Sequence, residues 1–111
     1  QRSLLCAILC HKSPLVLLDE PLTFLDWKFS LKLHDLIVSQ KICGRSFVVS
    51  SHDLNWILKF PDSKTWVLFQ QSLALRGSTF SVLNDIKLNE VFKIKTQMVH
   101  LEDKNFISIT L

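Results

Sequence analysis

The stretch LVLLDEPLTFLD, Leu15 to Asp26, runs four aliphatic residues into two adjacent carboxylates, follows them with a proline, and sets a third carboxylate six residues beyond the second. An apolar run without alternation is the pattern of a short strand covered on both faces in a parallel sheet. Pro21 cannot donate to a sheet ladder and ends it. Asp19 and Glu20 therefore stand at the strand's carboxyl end, which is where open parallel sheets gather their functional residues.

Working outward, QRSLLCAILCHK (1–12) carries Leu4, Leu5, Ile8 and Leu9 at helical spacing, and Ser13–Pro14 stops that helix. Beyond Asp26 a second helix is expected over 27–41, with Leu33, Leu36 and Ile37 three or four apart and Gly44 just past its end. Phe47 to Val49 form another short buried run, followed at once by SSHD, Ser50 to Asp53. Strand, helix-length crossover and strand predict a parallel, right-handed unit. Leu54 to Phe60 reads as a short helix ended by Pro61. Trp66–Phe69 and Leu73–Leu75 read as a hairpin turning at Gln70–Ser72 and ending at Arg76–Gly77. Short helical pieces are expected near 79–83 and 88–92. Two closing strands, 98–101 and 106–111, follow, with Ile107, Ile109 and Leu111 alternating and EDKN as the turn.

At 111 residues and 48% hydrophobic, the chain suffices for one modest core. A net charge of +3 without a Lys/Arg cluster gives no nucleic-acid footprint. No apolar run approaches the ~20 residues of a membrane span, and no charged leader opens the chain. Three irregularly spaced cysteines suit a reducing compartment, with the cytoplasm as the default. The first residue is Gln1, inside an apparent helix, so the chain is expected to start in mid-fold. Cys6, Cys10 and His11 lie at i, i+4 and i+5, so the two thiols could share a helix face as soft metal ligands, but buried cysteines in a helix core are the commoner arrangement. Trp27, Trp56 and Trp66 read as packing residues of the core or of a partner interface.

Both candidate parallel strands end in ionisable residues, Asp19 and Glu20 after the first, His52 and Asp53 after the second. If the strands are neighbours, Asp19, Glu20 and His52 share one rim. A carboxylate for hydrated Mg²⁺, a second to orient water and a histidine to donate to an anion suit phosphoryl transfer. Taken singly, a DE pair is usually a solvated turn and a histidine an ordinary polar residue. Their joint occurrence at equivalent strand ends is what argues for a site.

These residues resemble the C-terminal part of the ATP-binding subunit of an ABC transporter, most similar to importers of iron-siderophore, haem and vitamin B12 complexes. LVLLDEP resembles the extended Walker B motif, LTFLD the D-loop and SSHDLN the switch-histidine segment. Gln1, Arg2, Leu4 and Leu5 match the helix after the ABC signature. LRGSTFSVLND and KLNEVFKIK resemble the family's late G-x-x-x-x-V-L segment and closing helix. The resemblance implies an α/β fold, the C-terminal portion of a RecA-like P-loop ATPase domain over residues 1–111. It implies that Asp19 holds the Mg²⁺, that Glu20 is the general base towards water, and that His52 contacts the γ-phosphate of ATP. Thr23 and Asp26 would belong to the nucleotide-coupling D-loop at a dimer interface.

The chain departs from the family pattern in places. With only two glycines, Gly44 and Gly77, it has no G-x-x-x-x-G-K-[ST] loop to cradle phosphates. The glutamine loop and the signature itself are also missing. Leu22, Phe24, Ala7, Gln70 and Gln71 differ from the usual residues. By the resemblance, a complete subunit would pair with a second ATPase subunit and with transmembrane permease subunits, at the cytoplasmic face of the membrane, without inserting into it or binding nucleic acid. The 111-residue chain alone is expected to be inactive. Two other readings stand beside this one: a non-catalytic remnant that docks on a full-length ATPase, and an ABC-type ATPase of a non-transport branch.

Overall fold

The computed structural model describes residues 2–24 and 26–110. The chain forms two compact units, one ending at His52 and one beginning at Asp53. The expectations at Gln1, Leu25 and Leu111 lie outside the described residues.

The first unit runs α1 (Arg2–Cys10), β1 (Leu15–Asp19), α2 (Trp27–Ile42) and β2 (Ser46–Ser50). The two strands pair in parallel, as expected, with Leu15 opposite Ser46 and Asp19 opposite Ser50. Helix α2 starts where Asp26 Oδ1 accepts the Phe29 amide at 2.8 Å, the usual side-chain cap for an orphan N–H. It stops where Gly44, at φ +90°, takes a left-handed conformation and donates to the Lys41 carbonyl. Phe29, Leu33 and Ile37, four apart, are buried with Ile8 of α1 and Leu18 of β1. Arg45 ties the unit together. Its Nη1 donates to the Ile8 carbonyl in the last turn of α1, and its Nε to the Ser13 carbonyl at 3.0 Å. A helix end with no basic residue of its own is thus capped from elsewhere in the unit.

One expectation fails here. Strand β1 is not covered on both faces, because Leu17 and its pairing partner Val48 are 70% and 60% exposed and Leu15 is exposed beside them. An unbroken apolar run fits burial on either side but cannot supply the second layer. The cysteines also differ from the packed arrangement: Cys6, Cys10 and Cys43 are free thiols and all exposed.

The second unit runs α3 (Leu54–Leu58), β3 (Lys64–Phe69), β4 (Ser72–Ser78), α4 (Thr79–Leu83), α5 (Lys87–Phe92), β5 (Lys95–Leu101) and β6 (Lys104–Thr110). Its core is Leu54, Val67, Val82, Leu83, Leu88 and Ile107, with Ile57, Leu75 and Met98 packed around it. The β3–β4 hairpin turns on Gln70 and Gln71, at φ +48° and +61°. Two consecutive left-handed residues match the twist of a tight hairpin, although Asn-Gly is the usual pair there. Thr79 is fully buried because its hydroxyl has partners in Thr65 Oγ1 at 2.8 Å and the Ser63 carbonyl at 3.0 Å.

The β5–β6 hairpin turns at Glu102–Asp103 alone, so Lys104 and Asn105, expected in the turn, are strand residues. Ile107 is buried but Ile109, two residues on, is exposed, so the alternation is only partly used. Of the tryptophans, Trp56 is buried edge-on to Phe60 at 4.9 Å, while Trp27 and Trp66 are exposed. No helix among the described residues is long and apolar enough to cross a membrane.

Candidate functional site

The expected rim forms within the first unit, and register is what forms it. Pairing Asp19 with Ser50 brings the end of β1 beside the end of β2, two residues before His52. The Ser50 hydroxyl donates to Asp19 Oδ1 at 2.5 Å. The Glu20 amide then donates both to the Ser50 hydroxyl, at 2.8 Å, and to the Ser50 carbonyl, at 3.1 Å. Glu20 sits at φ +44°, a left-handed conformation that a residue with a Cβ adopts only when it is held there.

From that position Glu20 Oε2 accepts a hydrogen bond from His52 Nδ1 at 3.0 Å. A carboxylate only accepts, so Nδ1 carries the proton in this contact. The neutral tautomer then presents Nε2 as an acceptor, and only the imidazolium donates from both nitrogens. The His52 side chain is 78% exposed and that of Glu20 39%, so the pair is open to solvent. Its worth lies in orientation more than in stability.

Asp19, Glu20 and His52 are therefore brought together as expected. Thr23 and Asp26 stand apart from them in role. The Thr23 amide donates to the Glu20 carbonyl at 3.2 Å, closing the turn through buried Pro21, and the residue is exposed. Asp26 has one carboxylate oxygen committed to the cap of α2. Between them Phe24 is fully exposed at φ +61°.

Among the described residues no group of three or more His, Cys, Asp and Glu side chains could hold a metal ion. Asp19 can offer a hard oxygen to a divalent cation, but the remaining positions would have to come from water and phosphate, as Mg²⁺ commonly arranges. Ser50 is the site residue that sequence reasoning passed over. Its one signal was positional: aligning the ends of the two apolar runs sets it opposite Asp19.

No family model matches the chain. Among curated proteins it is similar to the vitamin B12 import ATP-binding protein BtuD of Yersinia enterocolitica, 36% identical over 86% of this chain and 37% of that protein. The petrobactin import ATP-binding protein FatE of Bacillus anthracis is 28% identical over 89% of this chain and 40% of its own length. The achromobactin transport ATP-binding protein CbrD of Dickeya dadantii is 28% identical over 89% of this chain and 37% of its own length. The chain thus spans well under half the length of these relatives. Among solved structures it is similar to an inward-facing metal-chelate type ABC transporter, with a TM-score of 0.62 and 25% identity, over 87% of this chain and 39% of that one.

Proposed function

We infer, from its similarity to ABC-transporter ATP-binding subunits over well under half of their length, that this chain is the C-terminal part of such a subunit and supplies one part of an ATPase centre belonging to an importer of vitamin B12 or iron-siderophore complexes. The observation that carries the reading is the shared rim at the paired ends of β1 and β2: His52 Nδ1 lies 3.0 Å from Glu20 Oε2, and Asp19, next to Glu20 in sequence, is held by Ser50.

Each residue has a task its chemistry fits. Asp19 keeps Oδ2 for a water-coordinated Mg²⁺ while Oδ1 is held by Ser50. That ion, when bound, would offset phosphate charge. Glu20 offers a carboxylate to accept a proton from an attacking water. His52 donates to Glu20 through Nδ1, and in its imidazolium form it would also have Nε2–H for a phosphate oxygen. Thr23, Asp26 and the bare Phe24 lie on a loop suited to meeting a second ATPase subunit, and transmembrane permease subunits, met at the cytoplasmic face of the membrane, would complete the transporter.

The chain's own residues do not fit ATP unaided. Nothing in its 111 residues spells the glycine-rich loop and lysine that would cradle the phosphates. The purified 111-residue chain is therefore expected neither to bind ATP stoichiometrically nor to hydrolyse it. Stoichiometric binding by calorimetry, with turnover abolished in Glu20→Gln, would overturn that expectation.

A second reading, a non-catalytic module that docks on a full-length ATPase, is favoured by the exposed Leu15, Leu17, Val48 and Phe24. Co-purification with an intact ATPase subunit would support it, and a monomer that binds no such subunit would sink it.

A further inference from the structure

We propose that Ser50 is the positioning residue of the rim, its hydroxyl setting the direction of one carboxylate and the backbone of the other. The proposal deepens the ATPase reading and rests on it for its functional meaning. The geometry is independent of that reading.

A serine hydroxyl has one donor and two acceptor positions. Here the donor goes to Asp19 Oδ1 at 2.5 Å and an acceptor position takes the Glu20 amide at 2.8 Å. One oxygen therefore touches two consecutive acidic residues, the last of the neighbouring strand and the one just past its end. For Asp19 the effect is selective. With Oδ1 engaged, the carboxylate plane is fixed and Oδ2 is the oxygen left for a cation.

For Glu20 the effect is on the backbone. Its amide is shared between the Ser50 hydroxyl and carbonyl, which carries the β1–β2 ladder one step past the strand end. That bifurcated contact anchors the start of the turn in which Glu20 takes φ +44°. The turn in turn aims the Glu20 side chain at His52. Were Glu20 to relax to an extended conformation, its side chain would leave the face it shares with His52.

Ser50 has little other work to do. It is exposed at the end of β2 and is not among the buried residues of the described chain, so its hydroxyl matters to the rim more than to the core.

The test uses the full 111-residue chain, with residue-resolved amide hydrogen exchange and urea unfolding on the wild type, Ser50→Ala and Ser50→Thr. Threonine keeps the hydroxyl and is well suited to a strand end. In Ser50→Ala the Glu20 and Thr23 amides are expected to exchange up to about tenfold faster, the scale of one lost hydrogen bond. Val48 and Val49 should exchange as before and the urea midpoint should hold, while Ser50→Thr should restore the slow exchange. Unchanged Glu20 and Thr23 exchange in Ser50→Ala would overturn the proposal. So would equal acceleration along the whole of β2, which would make Ser50 a general strand residue. If Ser50→Ala does not fold, Ser50→Cys, nearly isosteric with a weak donor, carries the same expectations. No readout involves nucleotide, so a failure here is distinct from a failure of the ATPase reading.

Discussion

Asn55, in the first turn of α3, is the side chain whose removal should be felt furthest along the sequence. Its Oδ1 accepts the Ile107 amide at 2.7 Å and its Nδ2 donates to the Ile107 carbonyl at 3.1 Å. The side-chain amide thus imitates a strand peptide against β6, and Ile107 is itself buried in the core of the second unit. Asn55→Ala removes both bonds at once. At roughly 0.5–1.5 kcal/mol net for each, the loss is about 1–3 kcal/mol, more where the Ile107 groups stay shielded from water. Amide exchange at Ile107 should accelerate by a factor of roughly five to more than a hundred if its opening energy falls by that amount. The urea midpoint of the second unit should drop in step. Asn55→Asp keeps an acceptor for the amide but turns an oxygen towards the carbonyl, so it should recover only part of the loss. Wild-type exchange at Ile107 in Asn55→Ala would refute the reasoning, because β6 would then be held by its pairing with β5 alone.

Two further outcomes are expected. Asp26→Ala should destabilise the first unit by about 1 kcal/mol through loss of the α2 cap, and Asp26→Ser should restore most of it in urea unfolding. Replacing Leu17 with Lys and Val48 with Thr should reduce concentration-dependent association of the chain in light scattering, because both residues belong to its bare apolar face. Unchanged association would mean that some other surface drives it.

The central part of the fold was legible because local signals agreed there. The apolar runs at Leu15 and Phe47, the four-residue spacing of Leu33 and Ile37, and Gly44 beyond them all pointed to the same strand–helix–strand unit. Asp19, Glu20 and His52 were legible for the same reason, since strand ends can be read from where apolar runs stop. Ser50 was not, because its role depends on register, a relation between strands that neither strand encodes alone. Asn55 was less legible still, with its partner 52 residues away. Lys104 and Asn105 read as turn because polar residues at a bend look alike until the pairing of Leu101 with Lys104 divides turn from strand. Asp26 reads in the sequence only as a loop residue facing a partner, and its side-chain cap on α2 was not legible until Phe29 was placed in the first turn of that helix.

The backbone of Glu20 also governs which replacements evolution or a mutagenesis library can sample there. At φ +44° the site imposes a steric filter separate from any demand for a carboxylate. Glycine and asparagine pass that filter, and glutamine has the shape that glutamate has. Valine, isoleucine and threonine are turned away by their branched Cβ before chemistry is considered. In a saturation library scored for abundance, position 20 should therefore split into two classes. One comprises variants that are present with an altered side chain, and the other comprises variants that are missing. Only the first class can report on what the side chain itself does.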